Sequence, residues 1–408
     1  MKMPGRPEFI ALIAAVMMIV AFAIDSMLPA LGEIGRDLGV FNENRWSLVI
    51  TAFTIGFGVA QLFVGTLSDR YGRRRLMLCS LIAFALFSIL AAIAQSFVLL
   101  LAARALQGVA AAGAQVIARS VVRDRFEGRE MAQIMSFASA IFMAGPIIAP
   151  FMGVEVLKYG PWRWIFIVLA IIGATTFLWI ALRLPETLGA THRRAMTPAG
   201  IRESARIVVS DRQSVAYTIA NACLSVTIMG FLTSVTLVFS ETLQRPELLP
   251  WGFATMAGVM MVASLVNASI VRRFGMRRIG HSALLGLTFF AAVHVAVSLT
   301  IGDTLVSFVL LQSLMMACFA LCAGNFGAMA MENMGEVAGT ASSLQGFFAT
   351  LVGAIGGAVI GQSFDGTTVP LYVGITVAGL GALAVILRAE GRLFIPRHEG
   401  QKATQEGA

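Results

Sequence analysis

Twelve apolar runs, each about 20 residues long and separated by short polar gaps, limit what this chain can fold into. They fall at roughly 9–31, 46–68, 76–96, 97–120, 131–154 and 162–183, then at 213–239, 250–271, 279–300, 303–328, 337–362 and 368–388. As α-helices, runs of this length rise far enough to cross about 30 Å of hydrocarbon. In lipid the backbone must satisfy its own hydrogen bonds, and a helix does so within one segment. Composition agrees, with 58% hydrophobic and 13% charged residues, against about 25% charged in a soluble domain. Too little polar surface remains to coat a globule in water. The predicted fold is therefore an all-α polytopic membrane protein with twelve spans. The narrowest boundary is between the third and fourth runs, where only Gln95 and Ser96 mark the turn.

The chain also repeats itself. Arg70-Tyr-Gly-Arg-Arg-Arg75 returns as Arg273-Phe-Gly-Met-Arg-Arg278, each in a charged gap between two apolar runs. Small residues crowd Phe142–Gly153 in the fifth run and Thr350–Gly361 in the eleventh, which suits close helix contact. The expected organisation is a six-helix bundle over 1–183, a cytoplasmic linker over 184–212, and a second six-helix bundle over 213–408 with a short tail. Two like halves suit a secondary transporter.

Lys and Arg set the orientation. With the N-terminus inside, the inner segments hold 24 of them and the outer segments 5. Both termini are therefore expected in the cytoplasm. The net charge of +8 follows from this bias. It does not point to nucleic acid, because the Arg residues form no continuous face with stacking aromatics. Trp46, Trp162, Trp164 and Trp251 are expected as interfacial aromatics near the outer ends of spans. The basic start and Ala21-Phe-Ala23 imitate a cleavable signal, but the apolar run continues to Leu31, so an uncleaved first span is expected. All four cysteines fall inside apolar runs. No His or carboxylate lies near Cys318 and Cys322 to complete a metal site.

Asp25 carries the most chemical information. It lies in the first span, past the midplane, where a carboxylate is costly unless it faces a cavity or partner. Arg104, at similar depth in the fourth span, is its candidate partner, with Gln107 a turn away and Gln115 two turns further. These residues point to a proton-coupling site at Asp25, Arg104 and Gln107. Alternatively, Asp25 simply ends the first helix, with Pro29 just beyond, or forms a structural tie with Arg104. Gly65, Asp69, Arg70, Gly72, Arg73 and Arg74 form a candidate cytoplasmic gate, in which Asp69 can accept from an Arg or a helix N-terminus. Gly145, Pro146 and Pro150 should kink the fifth span, since each proline removes a helical hydrogen bond. The other membrane polar residues are Gln61, Asn221, Asn267, His294, Gln312, Asn325, Gln345 and Gln362. Asn221, Gln312 and Gln345 lie deepest and join Asp25 and Gln115 as candidate substrate contacts. His294 reads as a structural histidine or a proton carrier.

These residues resemble the major facilitator superfamily, and within it the twelve-helix drug:proton antiporters of the bicyclomycin- and chloramphenicol-resistance type. Gly65–Arg75 is similar to that superfamily's loop motif between helices two and three. Arg104-Ala-Leu-Gln-Gly108 is similar to its fourth-helix motif, and Asp25-Ser-Met-Leu-Pro-Ala-Leu31 to the first-helix motif of the drug-export branch. Gly145-Pro-Ile-Ile-Ala-Pro150 resembles the fifth-helix antiporter motif, with Ala149 and Pro150 in place of paired glycines. Trp162-Arg-Trp-Ile-Phe166 and Pro185-Glu-Thr187 also suit this branch. The resemblance implies two pseudo-symmetric six-helix bundles and alternating access, with a cytoplasmic lock between the loop motif and the eleventh helix. It implies export of an amphipathic drug in exchange for protons across a bacterial inner membrane. A monomer is expected, with no cofactor beyond the proton as coupling ion. An exporter of one metabolite is the near alternative. A membrane sensor would need a soluble output domain, and an enzyme a nucleophile with its base or a metal cluster; neither is visible.

Overall fold

The computed structural model describes residues 4–126, 128–188 and 198–394. Among these residues every regular element is helical, and twelve helices are long and apolar enough to cross a membrane. The chain divides into two compact units, 1–198 and 199–408. The first holds α1 (Arg6–Asp25), α2 (Leu31–Asp37), α3 (Leu48–Tyr71), α4 (Arg73–Ala92), α5 (Phe97–Arg125), α6 (Gly128–Tyr159) and α7 (Arg163–Arg183). The second holds nearly all of α8 (Pro198–Ser210), then α9 (Arg212–Leu237), α10 (Leu249–Phe274), α11 (Met276–Thr300), α12 (Leu305–Met331), α13 (Ala338–Gln362) and α14 (Val369–Glu390).

Local chemistry sets the boundaries. Ser96 accepts from the Leu99 N–H at 3.3 Å, so the narrow gap after the third run is a capped helix start. Asp211 caps α9 by accepting from the Ser214 N–H at 2.6 Å. Thr304 and Ser307 cap α12 reciprocally. Gly72 (φ +94°) and Gly275 (φ +78°) each join two spans alone. Residues with a Cβ rarely adopt that backbone conformation, so the repeated motif places its glycine where the turn needs one.

The first apolar run is not one helix. α1 stops at Asp25, a tight turn covers Leu28–Ala30, and α2 continues to Asp37. Pro29 has no N–H to offer the Asp25 carbonyl, which favours a break at this point. α6, in contrast, runs continuously through Pro146 and Pro150.

Each unit packs its spans in the same order. The first span lies on the fifth, the second on the fourth, and the third on the fourth and sixth. These are α1–α6, α3–α5, α4–α5 and α4–α7 in the first unit. In the second they are α9–α13, α10–α12, α11–α12 and α11–α14. The duplication seen in the charged loops therefore extends to the packing. The polar stretch after α7 is not wholly irregular, because α8 falls within it and buries Val208 against Met334 and Ala341. The remainder of the expected linker, 189–197, and the tail from 395 lie outside the described residues.

The four tryptophans expected at the membrane interface divide into two kinds. Trp164 and Trp251 are exposed, as interfacial residues should be. Trp46 and Trp162 are instead buried inside the first unit. Trp46 donates to the Val40 carbonyl at 3.0 Å, and Trp162 Nε1 donates to Asp37 at 3.0 Å. Both hold α2 in place, so their polar edges serve the protein rather than the membrane boundary.

Candidate functional site

The break after α1 organises the buried polar residues of the first unit. Ala23 lies in the last turn of α1, where carbonyls lack a following helical turn. Arg104, on α5 and fully buried, donates through Nη2 to that carbonyl at 3.0 Å. Its Nε donates to the Val49 carbonyl at 3.2 Å, and its Nη1 to Gln107 Oε1 at 2.5 Å. The guanidinium lies over Phe53, 4.5 Å from the ring centroid, with Phe166 at 5.8 Å. Gln107 passes the chain on to Ser88 Oγ at 2.6 Å, and Ser88 donates to the Phe84 carbonyl at 2.7 Å. Arg104 thus ties together α1, α3, α4 and α5.

Asp25 sits two residues beyond the carbonyl that Arg104 grips. It is 5% exposed. The expected Arg104–Asp25 ion pair is not formed. Backbone carbonyls and Gln107 take three of the guanidinium's five N–H donors, and the Asp25 carboxyl has no ion pair or hydrogen bond among the described residues. The physical reason is the helix end, which offers Arg104 an uncommitted carbonyl where a continuous helix would offer none. Gln115 is also buried on α5 without a hydrogen-bond partner.

The fifth-span motif meets the same break. Gly145 faces the Ala21 side chain, and Gly153 faces the Ser26 carbonyl so closely that a Cβ there would overlap it. Pro150 is buried and Pro146 half-buried. Their missing N–H groups leave the Phe142 and Pro146 carbonyls without the usual helical donor.

The loop motif forms a second cluster. Asp69 pairs with Arg73 at 2.7 Å, and Arg73 Nε reaches Asp124 on α5 at 3.0 Å. Arg73 also donates to Ser68. Arg74 donates to the Leu184 and Ala181 carbonyls, each at 2.7 Å. Glu186 accepts from the Arg73 and Arg74 backbone N–H groups at 2.9 and 3.2 Å, capping α4. Arg70 is exposed and rests over Tyr71. Sequence reasoning overlooked Asp124 and Glu186 as members. Glu186 carried a signal in Pro185-Glu-Thr187, but a carboxylate far along the chain shows no partner until α7 folds back.

The remaining candidates lie in the second unit, and they are dispersed. Gln312, expected at a substrate surface, is instead fully enclosed and accepts from the Tyr372 hydroxyl at 3.0 Å. Gln345 donates to the Ala330 carbonyl at 3.2 Å, and Asn221 is half-buried. Asn325 donates to Asn267 at 2.9 Å, a polar tie between α12 and α10. Among the described residues no group of three His, Cys, Asp or Glu could hold a metal ion.

A family model for the Major Facilitator Superfamily matches residues 11–357. The chain belongs to that superfamily. It is a multi-pass membrane transporter, not an enzyme. It is 32% identical over 371 residues to YdgK, an uncharacterized MFS-type transporter of Bacillus subtilis, covering 88% of this chain and 90% of that one. It is 25% identical over 365 residues to a bicyclomycin resistance protein homolog of Haemophilus influenzae, covering 89% and 91%. The xylose transporter XylE of E. coli, in a partially occluded inward-open structure, superposes with a TM-score of 0.76 over 96% of this chain and 98% of that one. At 10% identity, this last likeness shows the fold alone.

Proposed function

We propose that this transporter exports amphipathic drugs or toxic small molecules across a bacterial inner membrane, driven by protons through alternating access. Both termini face the cytoplasm in this reading, which the Lys and Arg distribution supports. The proposed organisation is the one expected from sequence: bundles over 1–183 and 213–408 joined by a cytoplasmic linker. The name of the Haemophilus relative, a bicyclomycin resistance protein homolog, supports a drug as cargo.

The observation that carries the proposal is Asp25. Its carboxyl is enclosed at a helix break, has no fixed partner, and follows by two residues the carbonyl that Arg104 holds. A carboxyl without a committed counter-ion can exchange a proton as access changes. Arg104 and Gln107 hold the field around it, and the cluster at Asp69, Arg73 and Asp124 is the cytoplasmic gate. Gln115, Asn221 and Gln345 are the proposed substrate contacts.

The test is a drug-susceptibility panel on cells expressing the wild type and Asp25→Asn, followed by pH-gradient-driven export in proteoliposomes. D25N is expected to be folded but unable to export against a gradient. Wild-type proton-driven export by D25N would sink the assignment. If no compound shifts susceptibility in the panel, the narrow metabolite exporter is favoured instead.

A further inference from the structure

The second unit encloses a pair of titratable side chains for which the site above has no use. His294 lies in α11 and is fully buried; Asp303 lies in the connection to α12, with its side chain 3% exposed. Nε2 of the ring is 3.4 Å from Oδ1 of the carboxylate, an ion-pair distance that falls short of a hydrogen bond. Oδ2 accepts from Ser298 and Thr368, each at 2.8 Å. Oδ1 and both ring nitrogens have no hydrogen-bond partner. The imidazole stacks on Tyr372 with centroids 3.7 Å apart and planes 18° apart. The Tyr372 hydroxyl is committed to Gln312.

We propose that His294 and Asp303 form a proton-binding site in the second unit, separate from Asp25, which holds one proton between imidazole and carboxylate.

The groups facing the pair are known from every element around it. Ser298 comes from α11, Phe308 and Gln312 from α12, and Thr368 and Tyr372 from the start of α14. Among the described residues no Lys or Arg pairs with Asp303. With a neutral ring, the pair therefore carries one net negative charge in an enclosed place without a cation. A proton on the ring cancels that charge and lets Nε2–H donate to Oδ1 as a charge-assisted bond. A contraction of a few tenths of an ångström completes the bond. The tyrosine face also favours a cationic ring. Burial pushes the Asp303 carboxyl up, but His294, Thr368 and Ser298 outweigh it and hold the carboxyl below its ordinary value. Asp303 is thereby held as the acceptor that faces Nε2. The proton's arrival tightens α11, its connection to α12 and the start of α14, at the end of the unit opposite Gly275.

The experiment is an NMR titration of the histidine-labelled full chain in lipid nanodiscs between about pH 9 and pH 5. The chain has four histidines, and His294→Asn identifies the relevant signal by its loss. The imidazole of His294 is expected to titrate. Asp303→Asn, which removes the carboxylate that faces Nε2, should lose the pH-dependent change in the His294 signal over this range. Asp303→Glu, which keeps the charge, should retain the titration. A His294 ring that stays neutral to pH 5, or titrates in D303N as in the wild type, overturns the proposal. If D303N is not monodisperse, the wild-type titration decides alone on the first criterion. No transport is measured, so the outcome is independent of the Asp25 assignment.

Discussion

Arg104 shows how one side chain can join three spans and, through Gln107, a fourth. Its three bonding nitrogens point in three directions, to Ala23, Val49 and Gln107, while its flat face covers Phe53. Lysine keeps the charge but offers a single point of donation and no planar fork. Arg104→Lys therefore leaves at least one buried carbonyl without its donor. A hydrogen bond to a charged group contributes about 1.5–3 kcal/mol. R104K should show a lower melting temperature by intrinsic fluorescence and at least about a tenfold loss of export. Export at the wild-type rate would mean that charge alone matters at this position. Asp25, Arg104 and Gln107 could be found in the sequence because a polar residue in an apolar run is conspicuous. Their bonding could not. Residue spacing gives depth along a helix, but it does not show that α1 stops at Asp25 and presents a carbonyl ahead of the carboxylate. His294 was harder still, because Asp303 lies in a polar gap where an aspartate attracts no notice.

At the scale of elements, the number of membrane-spanning helices follows from apolar run length, while α2 and α8 do not, and the caps at Ser96, Asp211 and Thr304 follow from residue type. What the pattern hides is how closely two helices approach. α3 and α5 touch backbone to backbone where Gly56 faces the Ala105 carbonyl and Gly108 faces the Phe53 carbonyl. A methyl group at 108 would overlap the Phe53 oxygen, and the obstacle is backbone that cannot rotate aside. Gly108→Ala must therefore push α5 from α3 one turn away from Arg104. Overpacking of this kind typically costs about 1–3 kcal/mol. Gly258 in α10 is the control, since a Cβ there meets nothing within 4 Å. Gly258→Ala should be neutral or stabilise by up to about 1 kcal/mol, because alanine restricts the unfolded chain and favours helix. Thermal unfolding of the two variants in one detergent tests the contrast. Equal melting temperatures for G108A and the wild type would show that α3 and α5 are not held at this distance.

At the scale of the whole molecule, the two units repeat one packing order, and each gathers its own buried contacts. Six spans return the chain to the side on which it started, so either half can insert by the same positive-inside rule. α8 decides where the chain can be cut. Its Val208 packs against Met334 and Ala341, so it belongs with the second unit although it lies in the polar stretch between the halves. Expressed as separate fragments, 1–192 and 193–408 should each insert, co-purify, and together restore the export of the intact chain. Moving the cut to follow Ser210 strands α8 on the first fragment and uncovers Met334 and Ala341. That pair should yield less co-purified complex than the first, by about the several-fold change that a loss of 1–2 kcal/mol causes in cells. Equal yields would mean that α8 is a passive part of the linker. Failure of both pairs would mean that the halves need covalent continuity to assemble, despite the packing order they share.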